Sequence, residues 1–126
     1  MKSIVAIGTA MIAGLLVAAP AYAHPKLVSA TPADKATASN VTKLSLTFSE
    51  KLVAPVSGLD LTMTGMPGMP DHVMPMGKLK TSVAADGKTL VATLPRALQT
   101  GTYKLDWHVV SVDTHKVAGT YSFSVR

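Results

Sequence analysis

Cysteine is absent from all 126 residues. No disulfide framework is available, so a domain of this chain must be stable through its core alone. The thiolate, the obvious soft metal donor, is missing as well. Aromatics are few, with one Trp, three Tyr and two Phe. Beyond Lys2, the lysines stand singly (Lys26, Lys35, Lys43, Lys51, Lys78, Lys80, Lys88, Lys104, Lys116), with no basic run and no interleaved aromatics. That spacing describes a solvated surface and argues against nucleic-acid binding. Apart from the N-terminal segment, the chain has no long apolar run, no amphipathic helical pattern, no repeat and no linker.

What is present begins with an export signal. Lys2 is a short positive region, Ile4 to Val17 is apolar but diluted by Gly, Ala and Thr, and Ala21-Tyr22-Ala23 fits a small-x-small cleavage site. The apolar stretch is too short and too poorly flanked to be a membrane span. Cleavage after Ala23 divides the chain into a signal, 1–23, and a single domain, 24–126, that is not inserted in the membrane. Ala19-Pro20-Ala21 also fits the cleavage pattern and would leave Tyr22-Ala23 ahead of His24. The domain from His24 has 103 residues with 11 basic and 7 acidic side chains, a net charge of +4. That length suits one core rather than two.

The pattern in this domain is that of strands. Leu44, Leu46 and Phe48 alternate with polar residues, while Val41 falls out of phase and precedes the regular part. Similar stretches are Lys26 to Ser29, Leu59 to Met63, Leu79 to Val83, Thr89 to Leu94, Thr102 to Val110 and Thr120 to Val125. Ser57-Gly58, Asp86-Gly87, Pro95, Thr100-Gly101 and Gly119 supply the breaks. About seven short strands predict an all-β sandwich or a small Greek-key barrel. Leu105, Trp107 and Val109 share one strand face, which makes Trp107 a core residue with Phe48, Tyr121 and Phe123 as neighbours.

Every methionine outside the signal lies between Met63 and Met76: Met63, Met66, Met69, Met74 and Met76, with His72 among them. Methionines used for core filling would be scattered over several elements. The three-residue spacing of Met63, Met66 and Met69 would align them on a helix, but Gly65, Pro67, Gly68, Pro70 and Pro75 forbid one. The stretch is therefore expected to be an irregular loop whose thioethers converge on a soft ion. Thioethers have no proton to lose and cannot form disulfides, which suits Cu(I) binding in an oxidising compartment. The competing view is that these side chains plug the fold or form an adaptable contact surface.

A second donor set is harder. With His24 as the N-terminus, its α-amine and imidazole chelate one ion, and Pro25 has no amide proton to extend the chelate. Asp113-Thr114-His115 adds a carboxylate and an imidazole near a strand end, a nitrogen and oxygen set suited to Cu(II). On its own a D-x-H is commonplace. Its weight comes from pairing with a processed N-terminal histidine. His108 lies on the strand face opposite Trp107 and reads as a solvated residue, and Glu50 as a surface or outer carboxylate.

The chain resembles the CopC family of periplasmic copper-binding proteins. The resemblance rests on His24-Pro-Lys-Leu-Val-Ser, Leu46-Thr-Phe-Ser-Glu50, Ser57-Gly58, Met63-Thr-Gly-Met-Pro-Gly-Met69, Gly101-Thr-Tyr-Lys-Leu-Asp-Trp107 and Val110-Ser-Val-Asp-Thr-His115. It implies a seven-stranded Greek-key β-barrel or Ig-like sandwich of cupredoxin-like topology, with Cu(I) and Cu(II) sites at opposite ends. Carried over by position, His24, Asp113 and His115 match the Cu(II) site, with Glu50 an acidic neighbour. Met63, Met66, Met69 and His72 match the Cu(I) loop. Beyond His72 the pattern departs, leaving Met74 and Met76 as alternative last ligands. Where the family often has Arg after the tryptophan, this chain has His108.

The resemblance implies a non-enzymatic carrier in copper homeostasis and resistance, serving an inner-membrane copper transporter of the CopD type or a multicopper oxidase. The rival is a copper-dependent oxidative enzyme, since an N-terminal histidine plus a second imidazole also resembles the histidine brace of polysaccharide monooxygenases. Most of the five aromatics outside the signal can be claimed by the core, and Asp113 would fill the position oxygen needs. A metal-free Ig-like interaction module is the third reading.

Overall fold

Alternation of apolar and polar side chains sets every long strand in the computed structural model, which describes residues 24–126. The expected signal segment lies outside the described residues. Nine strands occur in the order β1 (Leu27–Thr31), β2 (Thr37–Ala38), β3 (Lys43–Phe48), β4 (Gly58–Gly65), β5 (Met74–Lys78), β6 (Thr81–Val83), β7 (Thr89–Thr93), β8 (Gly101–Val110) and β9 (Lys116–Val125). A single 3₁₀ turn, Ala54–Val56, joins β3 to β4. Along β8, Tyr103, Leu105, Trp107 and Val109 point inward while Thr102, Lys104 and His108 face solvent.

The strands form two sheets, β1-β3-β7-β6 and β2-β9-β8-β4-β5. Their inner faces pack together over a core that includes Leu44, Leu46, Phe48, Leu59, Leu61, Leu90, Leu105 and Phe123. Phe48 from one sheet meets Trp107 from the other edge to face, with ring centroids 5.1 Å apart, and Tyr103 stacks on Phe123 at 5.5 Å. The placement of Trp107 beside Phe48 in the core is as the alternation predicts.

Of the two architectures expected, the fold is the sandwich and not the closed barrel, because each sheet keeps two edges and, among the described residues, no ladder joins β1 or β6 to β2 or β5. The strand count needs correction. Nine strands replace seven, because β2 is only two residues long and β5 runs through Met74-Pro75-Met76-Gly77, which reads as loop. An edge strand tolerates both residues. Pro75 needs no outer hydrogen bond, and Gly77 takes φ 81° at a bulge in the β4–β5 pairing.

The segment before β3 is tied down by the Tyr121 hydroxyl, which donates to the Pro32 carbonyl at 2.8 Å. Burial, reinforced by the nearby Asp34, pushes the Tyr121 phenol from its ordinary 10.0 up to about 12. A raised folded-state value means that the neutral phenol supports the fold fully below pH 10 and that this support is lost as pH rises through about 12. Denaturant midpoints measured from about pH 9 to about pH 12 should therefore fall steeply at the alkaline end. Tyr121→Phe should flatten that fall, while the lost bond to Pro32 should cost about 1 kcal/mol at neutral pH.

Candidate metal centres

The methionine stretch is built on a hairpin that opens from β4. Met66-Pro67-Gly68-Met69 is a tight turn with Pro second and Gly third, Gly68 having φ 80°, the type II signature. Met66 and Met69 exchange both backbone bonds, at 3.0 and 2.8 Å. A second turn follows at once, with His72 N–H donating to the Met69 carbonyl at 3.1 Å. The spacing of three thus places Met66, Met69 and His72 at the corners of two successive turns. The approach to the hairpin is close-packed. A Cβ on Gly65 would lie 2.5 Å from the Pro70 carbonyl oxygen, and one on Gly101 would lie 2.5 Å from that of Gly65.

The other three methionines form a separate group. Met63 on β4 stands opposite Met74 on β5 in the ladder, and Met76 is the extra residue of the β5 bulge. All three line a groove of about 380 Å³ with Leu79, Leu98 and Tyr103 among its walls. Met63 is 2% exposed and belongs to the core, whereas Met69, Met74 and Met76 are 50%, 41% and 44% exposed. The expected single irregular loop is therefore a turn pair plus a strand-lined groove, and Met63 is held by packing. Graded hydrogen peroxide treatment followed by peptide mass spectrometry should convert Met69, Met74 and Met76 to sulfoxides first and Met63 last. Equal rates for Met63 and Met69 would contradict this arrangement.

The nitrogen and oxygen donors gather at the far end of β8. From Tyr103, which pairs with Met63, eight residues lead to Ser111, about 26 Å at roughly 3.3 Å per residue. Within the β8–β9 connection, residues 111–115, Val112-Asp113-Thr114 form a three-residue loop closed by Ser111 N–H to the His115 carbonyl at 2.9 Å, with Thr114 at φ 74°. Asp113 Oδ1 contacts His115 Nδ1 at 3.1 Å and also accepts from the Ser111 hydroxyl. These bonds, that from Ser111 foremost, hold the Asp113 carboxyl below its ordinary 3.8. With Nδ1 engaged, His115 has Nε2 for an ion, and Asp113 has Oδ2.

His24 reaches the same place. Its ring stands edge-on to that of His115 at 4.9 Å between centroids. Pro25 is fully buried, and Lys26 exchanges bonds with Ser49, N–H to Oγ and carbonyl to N–H, both at 2.9 Å. Glu50, next to Ser49, is half-buried and makes no ion pair with His115 among the described residues. No three His, Asp or Glu side chains among the described residues converge closely enough to form a ready-made cage. Asp113 and His115 engage each other through Oδ1 and Nδ1, and the ring of His24 lies beside that of His115. His108 is exposed on the outer face of β8, its ring lying over Gly58.

Sequence reading passed over Ser111. The signal was available, since Ser111 continues the inward phase of Tyr103, Leu105, Trp107 and Val109, and a polar residue in that phase needs partners.

Compared with known proteins, residues 27–126 match the CopC domain. The chain belongs to the CopC family. It is 50% identical over 116 residues to copper resistance protein C of Xanthomonas campestris pv. juglandis, covering 92% of this chain and 91% of that one. Copper resistance protein C of Pseudomonas syringae pv. tomato is 48% identical over 118 residues, with 94% and 93% covered. Among solved structures, PcoC, a methionine-rich copper resistance protein from Escherichia coli, superposes with a TM-score of 0.73 at 40% identity, covering 82% of this chain and all of that one. CopC from Methylosinus trichosporium OB3b gives 0.67 at 26% identity, covering 81% and 93%. The family and the β-sandwich expected from the sequence are therefore both established.

Proposed function

We propose that this protein is a periplasmic copper carrier, exported through residues 1–23, that holds copper in two oxidation states at opposite ends of one sandwich. The observation that carries this is the segregation of donors. All soft thioethers outside the signal lie at the start of β8, and the His24, Asp113 and His115 donors lie beyond its other end. The names of the copper resistance relatives support copper as the cargo.

Met63, Met66, Met69 and His72 are the Cu(I) donors of this reading, with Met74 or Met76 of the adjoining strand as the last ligand. A d¹⁰ ion accepts three or four such donors without strict geometry, so Met74 and Met76 serve as interchangeable last ligands. At the other end, the His24 amine and imidazole, His115 Nε2 and Asp113 Oδ2 are the Cu(II) donors, with Glu50 an outer carboxylate. If an external one-electron acceptor such as dioxygen took the electron from a thioether-bound Cu(I), the resulting Cu(II) would be held less well by the soft donors and would favour the harder set. Copper then passes to an inner-membrane transporter of the CopD type or to a multicopper oxidase. The protein acts as a carrier and does no chemistry on an organic substrate.

The test uses exported, processed protein whose intact mass shows His24 as the first residue. Replacing the five methionines by leucine should abolish tight Cu(I) binding, measured by competition with a colorimetric Cu(I) chelator, and leave Cu(II) binding intact. Leucine is close enough in volume to keep the fold. One extra residue ahead of His24 should do the reverse. Unchanged Cu(I) affinity in the leucine variant would sink the soft-site assignment.

A further inference from the structure

Ser111 has no exposed surface, yet it occupies a position where the alternation of β8 asks for an apolar side chain. A valine there would extend the line of Tyr103, Leu105, Trp107 and Val109. A buried hydroxyl is destabilising unless it is bonded, and the bonds of this one run to the hairpin loop. It donates to Asp113 Oδ1, accepts from His115 N–H at 3.3 Å and lies 3.4 Å from the His115 carbonyl. Its backbone closes the same loop, through N–H to the His115 carbonyl at 2.9 Å and its carbonyl from Thr114 N–H at 2.8 Å. The backbone of Ser111 also forms an antiparallel bridge with Leu52, which ties it to the segment that follows Glu50.

We propose that Ser111 is the positioning residue of the Cu(II) site, holding the Asp113 carboxylate in the rotamer that leaves Oδ2 for the ion while Oδ1 orients His115. The role rests on the copper reading of His24, Asp113 and His115. Asp113 is exposed at the tip of a three-residue loop, and the side-chain partners that fix it are Ser111 and His115. Removing the buried hydroxyl frees the carboxylate to rotate, so the ion must order it on binding. Partners of this kind commonly change metal affinity by about 10- to 100-fold.

The experiment compares processed protein with its Ser111→Ala variant, measuring Cu(II) affinity, the Cu(II) electron paramagnetic resonance spectrum, Cu(I) affinity and thermal stability. Cu(II) affinity should fall by about 10- to 100-fold, with a changed spectrum as water replaces the carboxylate. Cu(I) affinity, read at the opposite end of the sandwich, should stay within about two-fold. In an Asp113→Asn background, Ser111→Ala should add little further loss, because the hydroxyl acts through that carboxylate. Unchanged Cu(II) affinity and spectrum would overturn the role. So would a joint fall of both copper affinities with thermal stability, or a full effect that persists beside Asp113→Asn. Failure of the unaltered processed protein to bind Cu(II) would overturn the copper reading itself, and this role with it.

Discussion

Strand β8 is the constraint on which the rest of the molecule depends. It pairs along its length with β9 and β4, and its inward side chains supply the centre of a core that no disulfide supports. Period-two alternation fixes which face is buried, since a slip of one residue would bring Lys104, Asp106 and His108 inward. The same register fixes the ends. At one, Gly101 and Gly65 bring two backbones together and launch the methionine hairpin. At the other, the inward phase runs into Ser111 and the loop bearing Asp113 and His115. A single ladder therefore determines how far apart the two donor sets stand.

Much of this is legible in the sequence, because the relevant signals are local. Alternation locates the core strands and buries Trp107 correctly, and the soft and hard donor types already occupy separate stretches of the chain. Closure is not legible. Whether strands pair into a barrel or two sheets depends on edge-to-edge contacts that alternation does not encode. β5 escapes notice because Pro75 and Gly77 are poor strand formers whose position at an edge removes the penalty. Met66-Pro67-Gly68-Met69 is a different failure. Its Pro-Gly pair specifies a type II turn, and reading it only as a helix breaker hides the pairing of Met66 with Met69.

Met63 stands apart from the other methionines for the same geometric reason. The run of residues at intervals of three suggests three equivalent ligands, yet Met63 lies on a strand and the other two on a turn. Its side chain is buried in the core and also lines the groove with Tyr103, Leu79 and Leu98, so it serves both. Confinement of the methionines to one stretch therefore does not exclude core packing. One of the five packs fully, Met66 packs in part, and the remaining three stay exposed.

The two ends are positioned by different forces because their donors differ in kind. A thioether is a weak hydrogen-bond acceptor and has no donor, so hydrogen bonds cannot aim it. Aim must come from packing and from backbone turns, which is how Met63, Met66 and Met69 are held. A carboxylate and an imidazole bond strongly and directionally, so a buried hydroxyl and a short loop can set both. On the proposed function, the soft end would adapt its ligands to a d¹⁰ ion with little geometric preference, while the hard end would present oriented atoms to an ion that favours a tetragonal field. Selectivity between oxidation states would follow from what can hold each side chain still, as well as from which atoms it offers.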